Sequence, residues 1–246
     1  MISCEPDGNV AIIRLDRAEK RNALTPKMLG SLAGAFDRAS SADAVVLSGV
    51  GEVFCAGFDL SLCRDDDAAL ADLLKGLSRA VVSMRTTPGP VVLSAHGAAI
   101  AGGCALLGGA DVIVTDEGAK LGYPVLKLGI SPAVTAPFLR LNVGDGACRA
   151  RVLDPSVISG RDAYRAGLVH ECLATPAASE ARAIELAQQL AAKPREALRW
   201  TKAWLNELAP WPAAAKGLDA SLSLVGGDEE REMLPKAWAK SEGKKP

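Results

Sequence analysis

The chain has only two histidines, His96 and His170, among its 246 residues. A Ser-His-Asp or Cys-His catalytic arrangement would need one of them, and neither lies in a Gly-x-Ser-x-Gly turn. The six cysteines are scattered without a CxxC pair, so the close-set ligands of a structural zinc site are lacking. We therefore expect no metal site, mostly buried cysteines, and a hydrogen-bonded structural role for His96.

The chain also lacks an excess of charge of either sign. It has 28 Lys and Arg against 29 Asp and Glu, a net charge of -1, which argues against nucleic acid as a partner. The N-terminal residues lack the basic stretch, apolar run and cleavage site of a secretory signal, so we expect a cytoplasmic protein. Residues 86–110 contain no charged side chain, but prolines and glycines interrupt them, and we expect no membrane association.

What the chain does contain is enough apolar sequence for a core, because 49% of its residues are hydrophobic and 23% are charged. Four short apolar runs predict buried strands, and two segments between them repeat apolar residues at helical spacing. This alternation predicts an α/β fold with a parallel sheet. The strands are Val10–Leu15, Ala44–Leu47, Val91–Leu93 and Asp111–Thr115, and the helices are Pro26–Ser40 and Ala68–Thr87.

A repeat links two of these strands. The run Val45–Ser48 returns as Val91–Ser94, at an offset of 46 residues, and a glycine follows each run at the same spacing. Each unit then enters a loop of small residues, Cys55–Leu60 in the first and Ala101–Leu106 in the second. Such a repeat predicts two successive turns of one supersecondary unit, with equivalent loops side by side.

The last third of the chain is predicted to be helical. Its segments are Ser179–Lys193 with Ser179 as N-cap, Glu196–Leu208, and Asp228–Ser241. All four tryptophans lie in the last quarter of the chain, which suits either contacts between subunits or packing on the chain's own core. They are Trp200, Trp204, Trp211 and Trp238.

The two small-residue loops are the segments most suited to chemistry. Gly57-Phe58 and Gly102-Gly103 each precede a helical pattern, and the first N–H groups of a helix have no partner within it. Two such groups converging from different loops would stabilise a carbonyl oxygen as it becomes an oxyanion. The alternative is that these glycines only allow a strand and a helix to pack closely.

Six segments, in order, resemble the enoyl-CoA hydratase/isomerase (crotonase) superfamily, and the likeness extends over nearly the whole chain. The resemblance implies a spiral of ββα units with the acyl-CoA site in residues 1–190. It also implies a helical trimerisation region in residues 191–246, and hence a homotrimer or a dimer of trimers. The six segments are Asp16–Leu24, Phe54–Leu60, Gly97–Leu106, Gly129-Ile130, Ser159–Val169 and Lys193–Leu205.

The same resemblance implies the roles of individual residues. The backbone N–H groups of Phe58 and Gly102 would bind the thioester oxygen, and the carbonyl of Ala56 would meet the adenine of CoA. Arg21 and the tail lysines, Lys244 and Lys245, would meet its phosphates. CoA would be part of the substrate, so no separate cofactor is expected. The remaining residues of the CoA-binding turns would be Ala23, Asp59, Leu60 and Ser61.

The chain departs from the family where hydratases carry their two glutamates, since those positions are Ala105 and Val125. Isomerases manage with one acid, either at Val125 or eight residues further on, where Ala133 stands. None of these side chains can exchange a proton, so ordinary hydration of enoyl-CoA is not expected. A replacement acid or base would have to come from the substrate or from Asp65, Asp66, Asp67 or Tyr123.

Two functions therefore remain open. The first is an enzyme of isomerase-like or hydratase-like chemistry that stabilises the enolate of an acyl-CoA thioester. The second is a protein that has kept the acyl-CoA pocket without proton chemistry and serves as a sensor, carrier or partner subunit.

Overall fold

The computed structural model describes residues 1–209 and 212–242, which form nine strands and nine α-helices. The strands are β1 (Ile2–Asp7), β2 (Val10–Leu15), β3 (Ala44–Gly49), β4 (Val91–Ser94), β5 (Ala98–Ile100), β6 (Val112–Asp116), β7 (Lys120–Gly122), β8 (Val157–Ser159) and β9 (Glu171–Leu173). The helices are α1 (Pro26–Arg38), α2 (Ala69–Thr86), α3 (Gly102–Leu106), α4 (Ala136–Leu153), α5 (Gly160–Arg165), α6 (Pro176–Ala191), α7 (Arg195–Leu208), α8 (Pro212–Leu222) and α9 (Asp228–Glu242).

The main sheet has six strands in the order β1-β2-β3-β4-β6-β9. All four predicted strands are present, and all neighbours from β2 to β9 pair in parallel as expected. The antiparallel edge strand β1 was not expected from the sequence, because its residues are mostly exposed and show no apolar run. A second sheet, β5-β7-β8, was not predicted from the sequence either, because each of its strands has only three residues.

The predicted repeat is confirmed by the register of β3 and β4. Val45 pairs with Val91 and Leu47 pairs with Leu93, so the 46-residue offset in sequence is the pairing offset in the sheet. Equivalent residues of the two units thus lie side by side, and the loops that follow begin from the same edge of the sheet.

The strands are buried on both faces, as their apolar runs require. Val45 and Leu47 face the larger cluster, where α1 contributes Leu29 and Phe36 among its buried side chains and α2 packs against α1. Val46 faces the opposite way, toward a smaller cluster covered by α6. The sheet therefore lies between helices.

The start of α6 differs from the sequence prediction. The helix begins at Pro176, and the hydroxyl of Thr175 accepts a hydrogen bond from the amide of Ala178 at 3.2 Å. Ser179 is therefore not the N-cap but lies inside the helix, where its hydroxyl is 2.9 Å from that of Ser94. A threonine N-cap followed by proline at the first helical position is a stronger start signal than the serine three residues later.

The tryptophans of the C-terminal helices differ in burial. Trp238 of α9 packs against the core, with the Arg64 guanidinium 5.2 Å from its ring centre. Trp200 and Trp204 of α7 are instead 74% and 59% exposed. Trp211 lies outside the described residues. The division at residues 190 and 191 falls at the end of α6 and stays a prediction.

Candidate active site

The first loop leaves the edge of the main sheet after β3 and bends sharply at Gly57. Its φ of +97° is a conformation that side chains rarely adopt, and a Cβ here would lie 2.9 Å from the carbonyl oxygen of Ile100. The segment then pairs with Leu24, whose amide donates to the Gly57 carbonyl at 2.7 Å and whose carbonyl accepts from the Asp59 amide at 2.8 Å. Glycine is required here for both the turn and the close approach.

The second loop has the same kind of bend one residue before its helix begins. Ala101 has φ +51° and ψ -113°, an unusual conformation for a residue with a side chain. Helix α3 starts directly afterwards at Gly102, as the sequence predicts. At Gly103 a Cβ would lie 2.6 Å from the carbonyl oxygen of Cys55, so this glycine is needed for contact between the two loops.

The two loops lie side by side, as the repeat predicts. The Cys55 amide donates to the Ala98 carbonyl at 3.0 Å, and the Ile100 amide donates to the Cys55 carbonyl at 3.0 Å. Together these bonds form a parallel bridge between Cys55 and Ala99. The bridge joins the loops only a few residues before Phe58 and Gly102.

The amides of Phe58 and Gly102 follow directly on the two bends. Because Leu24 bonds to the residues on either side of Phe58, the N–H of Phe58 points away from Leu24, toward the side of the strand where Cys55 meets the second loop. Among the described residues, neither amide donates a backbone hydrogen bond. Both donors therefore lie at the junction of the loops with their hydrogen-bonding capacity unused by the backbone.

The expected CoA-binding residues lie on the two segments that meet at this point. Arg21 is exposed at the end of a short 3-10 turn, and its carbonyl accepts from the amide of Ala56 at 3.0 Å. The carbonyl of Ala23 accepts from the Arg17 guanidinium at 3.0 Å. The turn that carries Arg21 and Ala23 thus lies against the loop that carries Ala56, and the contacts of these residues with a ligand stay predictions.

The carboxylate of Asp59 is hydrogen-bonded to the side chains of Ser61 and Arg17. Its carboxylate accepts from the Ser61 hydroxyl at 2.5 Å and from the Arg17 guanidinium at 2.8 Å. Partial burial acts to raise the pKa of Asp59, but these hydrogen bonds and the positive charge of Arg17 outweigh it and lower the pKa. The carboxylate is ionised and paired, and the half-buried Leu60 begins a 3-10 turn that runs to Arg64.

The three positions expected to carry the family's acids are occupied by apolar residues. Ala105 is 1% exposed within α3, and Val125 lies in a 3-10 turn, partly buried against the core. Ala133 lines a cavity of about 720 Å³ between α4 and α8. No proton donor reaches the site from these three positions.

The four residues suggested as replacement acids or bases differ in their exposure to solvent. Asp65, Asp66 and Asp67 are all exposed, and Asp66 accepts from the amide of Ala68 at 2.9 Å ahead of α2. Tyr123 is buried, and its hydroxyl donates to the carbonyl of Cys104 at 3.2 Å. Burial raises the pKa of Tyr123 well above its usual value, so the phenol stays neutral and is a hydrogen-bond donor rather than a base.

Two residues that sequence reasoning did not single out hold the first loop in place. Asn22 is fully buried, and its side-chain amide donates to the carbonyls of Val50 and Val53 at 3.0 and 2.9 Å. Arg17 connects the same turn to Asp59. An asparagine at a turn is a known signal for positive φ, and Asn22 has φ +55°. The partners of Arg17, however, lie up to 42 residues away.

His96, Cys55 and Cys104 are buried in the protein. His96 is 2% exposed with Nε2 3.2 Å from the Gly51 carbonyl, which confirms a structural role. Burial raises the pKa of Cys55 to about 12 and that of Cys104 to about 11, so both thiols stay protonated. Residues 1–209 and 212–242 hold no group of three His, Cys, Asp or Glu side chains suited to a metal, and no helix there is long and apolar enough to span a bilayer.

The cysteine prediction is correct for only part of the set. Cys55, Cys104 and Cys148 are buried, whereas Cys4 is exposed. Cys63 and Cys172 are partly buried, and all six are free thiols.

The chain is similar to known proteins over most of its length. The family model described as enoyl-CoA hydratase/isomerase matches residues 5–231. A relative from Thermus thermophilus is 32% identical over 243 residues, covering 96% of this chain and 91% of that protein. A Bacillus subtilis protein named a probable enoyl-CoA hydratase is 33% identical over 216 residues, 84% of this chain and 81% of that protein.

Solved structures show the same likeness. The crystal structure of an enoyl-CoA hydratase/isomerase from Xanthobacter autotrophicus Py2 superimposes with a TM-score of 0.87 at 26% identity, covering 100% of this chain and 98% of that one. The crotonase fold expected from the sequence is thus present. With the family model spanning most of its length, the chain belongs to the enoyl-CoA hydratase/isomerase family.

Proposed function

We propose that this protein binds acyl-CoA thioesters, with the N–H groups of Phe58 and Gly102 donating to the thioester oxygen. The observation that carries the proposal is the pair of bends at Gly57 and Ala101, each directly before an amide that has no backbone acceptor among the described residues. Two preorganised donors favour an oxygen on which negative charge develops, as in a thioester enolate. Family membership supports the same ligand class.

The CoA moiety is proposed to lie along the segments that meet beside the first loop. The carbonyl of Ala56 would meet the adenine, and Arg21, exposed at the turn, would meet a phosphate. Ala23, Leu60 and Ser61 would line the same groove, with Asp59 shaping it through its bonds to Ser61 and Arg17. The tail lysines, Lys244 and Lys245, lie outside the described residues.

The reaction we propose is isomerase-like or hydratase-like chemistry through the enolate of the thioester. Ala105 and Val125 cannot activate water or deliver a proton, and general acid–base catalysis contributes about 100-fold to 10,000-fold in rate. Hydration of crotonyl-CoA should therefore be close to background. Proton exchange at the acyl α-carbon, with water or buffer base as the proton acceptor, should exceed the rate in buffer, because the two amides would stabilise the enolate.

A non-catalytic acyl-CoA-binding protein is the second candidate. It is favoured by the apolar side chains at the acid positions and by Tyr123, whose neutral hydroxyl is already bonded to the Cys104 carbonyl. Such a protein would bind ligand as tightly as an enzyme does but would leave the α-proton in place.

Three further features belong to the same proposal. CoA enters as part of the substrate, with no other cofactor. The protein works in the cytoplasm. The C-terminal helices join subunits into a trimer or a dimer of trimers. Trp200 and Trp204 on α7 are exposed, which supports a contact of this helix with another subunit.

Calorimetry with several acyl-CoAs and with free CoA tests the proposal. We expect acyl-CoA to bind more tightly than free CoA, and failure of every acyl-CoA to bind would remove both candidates. Exchange of the acyl α-proton in D2O, followed by NMR, then separates them. Exchange above the buffer rate indicates an enzyme, whereas tight binding without exchange indicates a binding protein. Rapid crotonyl-CoA hydration would contradict the assignment of Ala105 and Val125 to the acid positions.

A further inference from the structure

Arg17 lies at the centre of the contact between the turn Arg17–Leu24 and the first loop. Its Nη1 atom donates to the Ala23 carbonyl at 3.0 Å and to the Asp59 carboxylate at 2.8 Å. Its backbone amide donates to the side chain of Asn22 at 2.8 Å. One residue thus holds both sides of the contact, and about a quarter or less of each side chain in the ion pair is exposed.

The turn held by Arg17 is strained. Arg21 and Asn22 both have positive φ, +50° and +55°, a conformation that costs free energy in residues with side chains and persists only where surrounding contacts impose it. Those contacts come from the Asn22 side chain, which accepts from the Arg17 amide and donates to two carbonyls of the 50–53 segment. The conformation of the turn is therefore supported by three side-chain hydrogen bonds of Asn22.

The turn is hydrogen-bonded to both sequence neighbours of Phe58. Gly57 is bonded through its carbonyl to the amide of Leu24, and Asp59 is bonded through its amide to the carbonyl of Leu24 and through its side chain to Arg17. Loss of Arg17 would leave the Asp59 carboxylate bonded to the Ser61 hydroxyl alone. The backbone bonds to Leu24 would remain, but the first loop would lose its side-chain connection to the turn.

The ion pair also has an electrostatic consequence. Asp59 is one residue from the proposed oxygen-binding amide, and its negative charge would oppose an oxyanion there. Arg17 compensates this charge at 2.8 Å. Removal of Arg17 would weaken the support of the Phe58 amide. It would also leave the Asp59 carboxylate near the oxyanion without its positively charged partner.

We propose that Arg17 is a positioning residue for the oxygen-binding amide of Phe58, acting through Asp59 and the strained turn. This inference rests on the proposed acyl-CoA function and adds a residue to that site. Arg17 would not contact the thioester itself. It sets where the amide points and how strongly the site stabilises negative charge.

The test compares Arg17→Ala with Arg14→Ala. Arg14 is a matched control, because its side chain is 24% exposed against 23% for Arg17 and it also forms a carboxylate ion pair, with Glu180 at 3.2 Å. The readout is the C=O stretching frequency of a 13C-labelled acyl-CoA thioester bound to each protein. A purely structural loss of an ion pair would not shift this frequency.

In the unmodified protein and in Arg14→Ala, we expect the bound carbonyl frequency to fall below its value in water. In Arg17→Ala, the fall should be at most half as large. Where α-proton exchange is measurable, its maximal rate should drop about 10-fold to 100-fold with little change in KM, as for a misplaced donor. Asp59→Asn, which removes the charge but keeps an acceptor, should retain most of the frequency shift.

The outcomes separate the two proposals. If the unmodified protein binds acyl-CoA without any fall in carbonyl frequency, the proposed oxygen-binding site itself is wrong. If the fall is present and Arg17→Ala preserves it in full, the positioning role is wrong and the site stands. Should Arg17→Ala fail to fold, Arg17→Lys replaces it. It retains the charge but not the planar fork, so the fall should be intermediate, and an undiminished fall would overturn the inference.

Discussion

At the residue scale, the site depends on backbone conformations that most side chains oppose. Gly57 accepts its positive φ without cost, but Ala101 does not, and strain of this kind is of order 1–3 kcal/mol per residue. The same bend in both loops turns an amide out of the regular hydrogen-bonding pattern. In the second loop, strain is thus located directly before an amide that donates no backbone hydrogen bond among the described residues.

Gly103 allows a direct test of loop contact. A Cβ at this position would lie 2.6 Å from the Cys55 carbonyl oxygen, and no flexible side chain could yield to relieve it. We expect Gly103→Ala to lower the free energy of unfolding by about 1–3 kcal/mol and to weaken acyl-CoA binding. Denaturant unfolding and calorimetry measure both effects.

Gly30→Ala is the matched control for this substitution. Gly30 is exposed in α1, and a Cβ there has no atom within 4 Å. Because alanine favours helix, the change should raise stability by about 0.5–1 kcal/mol and leave binding alone. Equal effects of the two substitutions would show that the Cys55 contact is not needed.

At the element scale, β9 is attached to the sheet through a titratable side chain. The Nδ1 atom of His170 accepts from the Ile113 amide at 2.9 Å, and the His170 amide donates to the Ile113 carbonyl at 2.8 Å. Partial burial lowers the pKa of His170, and the charge of Asp111 only partly offsets this. The folded protein therefore favours the neutral ring.

We expect this site to make stability depend on pH. The unfolded chain takes up a proton near pH 6.5, whereas the folded chain does so only at lower pH. Stability is therefore highest above that range and falls as the pH drops through it. In His170→Asn, the Oδ1 atom can accept the same bond without titrating. Thermal unfolding between pH 7.5 and 5.5 should show a smaller fall in Tm for the variant, and an equal fall would contradict this role.

At the scale of the whole molecule, α7 is attached to the body through its charged side. Lys202 is buried and forms an ion pair with Asp111 at 2.7 Å, and Arg199 donates to the Ala42 carbonyl at 3.1 Å. The opposite side presents Trp200 and Trp204 to solvent. A helix with cations inward and tryptophans outward is suited to contact with another chain.

This arrangement predicts an effect of α7 on assembly. Trp200→Glu together with Trp204→Glu should reduce the mass measured by light scattering, or raise the protein concentration needed for assembly, without unfolding the chain. Tyr164→Glu, at a residue that is 51% exposed on α5, is the control. An unchanged mass for the double variant would assign these tryptophans no part in subunit contact.

Sequence patterns alone determined the positions of β2, β3, β4 and β6, the repeat of β3 and β4, and the two loops with their glycines. These follow from local periods and spacings, and the pairing of Val45 with Val91 reproduces the spacing directly. The prediction that both family acids are missing also comes from the sequence, because the positions expected to carry them are Ala105 and Val125.

Only the tertiary structure decided which side chains hold those loops. The strain at Ala101 carries no residue-type signal, and the Arg17 ion pair joins residues that are 42 positions apart. Tyr123 likewise became a neutral hydrogen-bond donor only through burial beside Cys104. Backbone strain, charge pairing and desolvation depend on neighbours brought together by folding, and a local sequence pattern does not contain those neighbours.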